Sequence, residues 1–356
     1  MGDGARAVSR KGVPVRALRR VIESGGGDQA VMNYLRRELG ALALAAGPLA
    51  AAKPKSVFGG VQIGVITYSF RALPGSAEET LKYCLECGLS GVELMSNVAE
   101  SYAGAPRGPG FGPGPGGPGG RGAMTDERKA AMQKAAEELK QFRLTAPMAK
   151  YKAFRKMYED AGVKIYCFKL PPTLAMSDQE YDYIWNVAET LGASHITMEL
   201  PTDDALLQRV AAFAAKRKLR IAFHTHGQGG ESGFEKVLNA SRYTALNLDV
   251  GHFFAVTGQS PVPVMEKYHD RIASIHLKDR KGPGSASPEK KGPGGGGGPN
   301  MPWGQGETPL KEVLQLMKQR KFKFPGSIEY EYNTPEGSSV VAEVKKCVRY
   351  CQEALA

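Results

Sequence analysis

A chain of 356 residues with 42% hydrophobic side chains can bury one large core, and that content excludes a mainly disordered protein. The net charge of +11 does not single out nucleic acid as a partner: residues 1 to 60 hold ten Lys/Arg against four Asp/Glu, and the remaining excess forms no basic stripe interleaved with aromatics. Five cysteines, an odd number with no second CxxC beside Cys84 and Cys87, argue against a dense disulfide framework and a zinc knuckle.

Residues 1–59 read as an extension ahead of a single domain over 60–356. In that extension Arg36-Arg37 precede an apolar stretch, 40–52, which ends in Ala50-Ala51-Ala52 before Lys53. A basic region, a short apolar region and a small-residue cleavage site follow one another there. The stretch resembles a twin-arginine signal peptide and implies an exported, periplasmic or extracytoplasmic protein; without a functional signal the protein is cytoplasmic. The apolar run is too short to stay in a bilayer, so no integral membrane span is expected.

From residue 60 short apolar strands alternate with amphipathic helices, the pattern of a parallel α/β fold. The eight predicted strands are 63–67, 91–94, 163–168, 195–200, 220–224, 245–249, 272–277 and 327–332. Helices are expected at 129–142, 150–161, 178–191, 203–218, 310–318 and within 340–354. A further one starts at Ser76, with Glu78 and Glu79 in its first turn. Thr308-Pro309 reads as an N-cap followed by proline at the first helical position. Strands three to seven start about every 25 to 32 residues, and no GxGxxG follows the first strand. These features favour a (β/α)8 TIM barrel over an open doubly wound sheet.

Two Gly/Pro-rich insertions, 102–124 and 281–301, follow the second and seventh strands, on the face where barrels carry their chemistry. They read as tolerated loops rather than lids.

The functional signal is a set of ionisable residues closing five consecutive apolar strands. Strand four ends in Met198-Glu199-Leu200, strand five in His224-Thr225-His226 and strand six in Asp249-Val250-Gly251-His252. Strand seven ends in His276-Leu277-Lys278-Asp279, and strand eight carries Glu329-Tyr330-Glu331. In a closed barrel these ends converge. Glu199, His224, Asp249, His276 and Glu329 then offer mixed nitrogen and oxygen ligands for a divalent metal, with Glu331 as the fallback for Glu329. Such a set suits Mn²⁺ or Zn²⁺ first, with Co²⁺, Fe²⁺ or Mg²⁺ as alternatives, better than Ca²⁺.

With Gly91-Val92-Glu93-Leu94, Trp303-Gly304-Gln305-Gly306 and Ser327 to Glu331, these motifs make residues 60–354 resemble the xylose-isomerase-like barrels grouped as sugar phosphate isomerases and epimerases. That group includes ketose 3-epimerases and inosose dehydratases and is related to barrel-type abasic endonucleases. The resemblance implies Asp249, His276 and Glu329 as metal ligands and His252 as a substrate-contacting histidine. It also implies a sugar or glycoside as substrate. The chain departs from the group at strand five, where His224 and His226 stand in place of a glutamate followed by a histidine.

The implied reaction is proton abstraction alpha to a carbonyl of a sugar or oxidised sugar by Glu199 or Glu329. His252 or His226 would orient hydroxyls or relay protons, and Lys278 or Lys169 would neutralise developing charge or contact an acidic sugar. Glu93 is expected to hold a substrate hydroxyl or a neighbouring lysine, and Trp303 to stack on a sugar ring. Isomerisation or epimerisation follows, or by the same first step a lyase or dehydratase reaction on a keto-sugar or 3-keto-glycoside. A metal-dependent phosphodiesterase and a non-catalytic carbohydrate-binding barrel are the other classes; six histidines are few for a three-metal cluster.

Overall fold

The computed structural model describes residues 53–106, 125–226, 230–285 and 297–356. The twin-arginine stretch, residues 107–124 of the first Gly/Pro-rich insertion and residues 286–296 of the second lie outside the described residues.

A two-residue strand, β1 (Val57–Phe58), turns back onto β2 (Val61–Ile66) as an antiparallel hairpin. Gly59 and Gly60 form the turn with φ of 53° and 84°, the positive values that a two-residue hairpin of this hand requires. Ser56 is fully buried beneath it; its Oγ donates to the Ile63 carbonyl and accepts from Ser90 N at 2.9 Å. Residues 53–59, assigned to the extension from sequence, therefore pack on the barrel, and the domain boundary moves from 59 to 53.

The barrel strands are β2 and then β3 (Gly91–Met95), β4 (Lys164–Lys169), β5 (His195–Glu199), β6 (Arg220–His224), β7 (Thr244–Asp249), β8 (Ile272–Leu277) and β9 (Gly326–Ile328). Each pairs in parallel with the next, and β9 pairs with β2, closing a (β/α)8 TIM barrel. Near-continuous burial along β7 and β8 is what a parallel sheet covered on both faces demands. Register places the key ends side by side: Glu199 opposite His224, and Asp249 opposite His276.

The helices from Asp178 to Leu191 and from Val340 to Ala354 fall where sequence placed them. Each has its serine N-cap, Ser177 and Ser339, accepting a backbone N–H. Two expectations change. The last strand stops at Ile328 rather than Tyr332, so Glu329 and Glu331 stand on the chain leaving the barrel. Thr308 does not cap the helix Leu310–Arg320; Pro309 occupies the N-cap, and the Thr308 hydroxyl accepts instead from Arg280 N at 3.0 Å.

A helix that the periodicity missed, Val250–Thr257, follows β7 with no intervening loop. Its sequence VGHFFAVT is apolar on nearly every face, so it carries no amphipathic signal. Among the described residues no helix is long and apolar enough to cross a membrane. All five cysteines are buried and unpaired, and burial pushes the Cys84, Cys167, Cys347 and Cys351 thiols far up, which leaves them unreactive packing groups.

Candidate active site

Four of the predicted ligands meet at the C-terminal mouth of the barrel. His224 and Asp249 are the last residues of β6 and β7, His276 is the penultimate residue of β8, and Glu329 directly follows β9. Each offers one ligand atom, and these atoms lie within 4.8 Å of one another in a buried setting. Asp249 Oδ1 accepts from His252 N at 2.7 Å, capping the helix that starts there. Asp249 Oδ2 is buried and accepts no hydrogen bond, so its charge is met only by nearby cations, the Lys278 ammonium 3.1 Å away among them. Two imidazoles and two carboxylates around such an atom fit a divalent metal.

Each imidazole is oriented from below. Asn247 Nδ2 donates to Ser274 Oγ at 2.6 Å, which turns its Oδ1 to His224 Nδ1, also at 2.6 Å. His224 must then donate from Nδ1, leaving the Nε2 lone pair 3.8 Å from Asp249 Oδ2. Burial, with the charges of Lys169 and His276 beside it, holds His224 well below the usual imidazole range, so it is neutral. The ladder continues downward through Ser274 Oγ to His195 Nε2 at 2.9 Å.

His276 is engaged at both nitrogens, Nδ1 by Glu329 Oε2 at 2.8 Å and Nε2 by Glu93 Oε2 at 2.9 Å. Burial disfavours its charge, yet the two carboxylates outweigh burial and raise it to about 10. Glu93 also accepts from Thr197 and Ser327 hydroxyls, at 2.9 and 3.1 Å. It is fully buried, and the His276 charge overcomes that burial to hold it at about 2. The expectation that Glu93 holds a substrate hydroxyl or a lysine is therefore corrected: it orients His276 from beneath the site.

Lys278 places an ammonium against the same carboxylates. Its Nζ lies 3.1 Å from Asp249 Oδ2, outside hydrogen-bonding geometry, and 2.7 Å from both Glu329 Oε2 and Glu331 Oε2. Burial opposes that charge, and the three carboxylates raise the pKa above the ordinary lysine value. Glu329 in turn is held well below the carboxylate range by Lys278 and His276 despite its burial. Of the two glutamates, Glu329 stands in the four-residue group and Glu331 pairs with Lys278.

Glu199, expected as a fifth ligand, does not join that group. It clusters with His224 and His226 nearer the opening, its side chain 47% exposed. Lys169 Nζ donates to its Oε1 at 2.9 Å, and His226 Nδ1 stands 3.4 Å from its Oε2. The Glu199 side chain is more exposed than those of Asp249, Glu329 and Glu331, although Oε2 itself is buried and accepts no hydrogen bond. His226 packs between His224 and His252, with ring centroids 4.4 and 4.6 Å away.

Trp303 is not brought to this centre. Asp279 Oδ2 accepts from Gly304 N and Gly306 N at 2.8 and 2.9 Å, and Oδ1 from Thr308 N at 3.2 Å, which pins the loop. Trp303 then packs edge-on against Tyr350 of the last helix, 5.6 Å between centroids, beside a cavity of about 240 Å³ that none of the ligand residues lines. A larger cavity, about 700 Å³, opens at the opposite face around Arg220, His269 and Lys323. The convergent ionisable groups stand at the C-terminal face, where barrel chemistry is built. Sequence reading missed Asn247, Asp279 and Arg280, although the last two directly follow Lys278 within one motif.

Residues 204–351 match the family model of the xylose isomerase-like TIM barrel. Over those residues the barrel is similar to that family. Over 78 residues it is 33% identical to an inosose dehydratase of Clostridium botulinum, a stretch covering 20% of this chain and only 26% of that relative's length. Solved structures share the barrel over most of its length. A probable 3-DHS dehydratase from Bacillus anthracis superposes with a TM-score of 0.53 and 14% identity, over 81% of this chain and 97% of that one. A xylose isomerase domain protein from Alicyclobacillus acidocaldarius does so with a TM-score of 0.54 and 14% identity, over 82% and 99%.

Proposed function

We propose that this barrel is a metal-dependent enzyme that removes the proton alpha to the carbonyl of a sugar or keto-polyol and then expels a beta substituent, as a dehydratase or lyase does. The observation that carries this reading is the asymmetry of the two glutamates. Glu329 is buried against both Lys278 and His276, whereas Glu199, its side chain 47% exposed, pairs with Lys169 through Oε1 and leaves Oε2 with no hydrogen-bond donor. A carboxylate held well below its ordinary range by two cations is a weak base. One available base suits elimination, whereas epimerisation by two opposed carboxylates needs a second one. The relatives named as dehydratases support the same choice.

His224, Asp249, His276 and Glu329 would hold the metal, Mn²⁺ or Zn²⁺ by their donor types. The bound ion supplies Lewis-acid polarisation of the substrate carbonyl and stabilises the charge that develops on its oxygen. Glu199 accepts the alpha proton and returns it to the departing oxygen, which leaves as water or alcohol, with Lys169 fixing the carboxylate from its other oxygen. His226 and His252 line the same opening and orient hydroxyls. Lys278 keeps Glu331 as a partner when Asp249 and Glu329 are drawn to the metal.

Incubation with keto-inositols, ketoses and 3-keto-glycosides in D₂O tests the reading. Deuterium at the alpha carbon or loss of water or alcohol, abolished by Glu199→Gln, is the expected result. Full activity of Glu199→Gln sinks the assignment of the base. Deuterium exchange with inversion at the alpha carbon and no elimination would instead establish an epimerase.

A further inference from the structure

Arg280 lies four residues beyond His276 and is 4% exposed. Its Nε and Nη2 donate to the Gly298 carbonyl at 3.0 and 2.6 Å, and its Nη1 donates to His252 Nδ1. The carbonyl it uses is closely seated. A Cβ on Gly298 would lie 2.5 Å from the Lys281 carbonyl oxygen, and one on Gly297 2.1 Å from that of Ala255, so only glycine admits this approach of the chain. The His252 end is fixed as well, since its backbone N–H is held by Asp249 Oδ1.

A guanidinium carries donors only and does not lose its charge in proteins. The His252 nitrogen facing it can therefore only accept, and a neutral ring accepting at Nδ1 carries its proton on Nε2. That Nε2 points into the centre, 4.0 Å from Asp249 Oδ2, with the His226 ring beside it.

We propose that Arg280 is a positioning residue that holds His252 as a neutral Nε2–H donor, so that His252 gives a hydrogen bond to a substrate oxygen and takes no proton. The role toward substrate rests on the reading of this centre as the substrate site; the tautomer does not. Within that reading His252 faces a carbonyl or departing hydroxyl oxygen as an electrophile, and the base is left to Glu199.

The six histidines of the chain make the test direct. The full-length protein is labelled with ¹⁵N-histidine, His252 is assigned from the spectrum of His252→Gln, and the two ring nitrogens are read without substrate. The expected wild-type spectrum shows an unprotonated Nδ1 and a protonated Nε2. Arg280→Lys keeps a cationic donor and this tautomer. In Arg280→Met the other tautomer rises by about tenfold, the order expected for loss of a charge-assisted hydrogen bond. A protonated Nδ1 in the wild type, or an Arg280→Met spectrum identical to it, overturns the proposal. If Arg280→Met does not fold, the wild-type spectrum decides. Failure of every keto-sugar to exchange in D₂O would sink the functional reading while leaving this tautomer standing.

Discussion

Lys278→Met removes the ammonium that faces Asp249, Glu329 and Glu331 while keeping the length of the side chain. Lys278 is 3% exposed, and so little water reaches Asp249 and Glu329 that they cannot be solvated in its place. Breaking a buried pair in this way costs about 3–5 kcal/mol. At about 2–4 °C per kcal/mol for a large domain, the melting midpoint falls by roughly 10 °C in EDTA. Carboxylates relieved of the ammonium are also a better seat for Mn²⁺. A ligand at a hundredfold excess over its Kd adds about 2.7 kcal/mol, so Mn²⁺ should restore most of the loss and stabilise the variant more than the wild type. Thermal and guanidinium unfolding, with EDTA and with saturating Mn²⁺, read both effects. A variant as stable as wild type in EDTA, or one that gains no more from Mn²⁺, would refute the idea that ammonium and metal share these carboxylates.

Other consequences are equally concrete. Glu93→Gln keeps the packing beneath His276 but loses the carboxylate on its Nε2, so metal affinity measured by calorimetry should weaken about 10- to 100-fold with the barrel intact. In metal-free protein His276 is raised to about 10 from an ordinary 6.5, so its contribution to stability is complete below pH 6.5 and is lost as pH rises toward about 10. Urea unfolding from pH 6 to 10 should show that decline, and His276→Gln should flatten it. Asp279→Ala leaves the N–H groups of Gly304, Gly306 and Thr308 without their acceptor, at about 1–3 kcal/mol for each one that stays buried. Limited proteolysis should then cut near residues 302–308, where the wild type resists.

The barrel and the convergence of His224, Asp249, His276 and Glu329 were legible because their apolar runs end on ionisable residues, and closure of eight strands brings those ends together. The groups that aim the ligands were not. Glu93 meets His276 across the barrel interior, 183 residues away in sequence, through a register that no local pattern encodes. Asn247 lies inside β7 and reads there as one polar residue in a strand; only its contacts to Ser274 and His224 give it a role. Glu199 looked equivalent to the other strand-end acids, but it pairs with Lys169 on the neighbouring strand and stands outside the four-residue group. Trp303 misled because glycines flank it; Asp279 uses those glycine N–H groups to hold the loop so that the ring meets Tyr350.

The central claim, a divalent metal held by His224, Asp249, His276 and Glu329, is tested most directly by metal content after loading with Mn²⁺ or Zn²⁺ and exhaustive dialysis. The account predicts about one ion per chain in the wild type. Asp249→Asn and His276→Ala should each retain less than about a tenth of that while keeping the circular dichroism of the barrel. Wild-type metal content in both variants would contradict it.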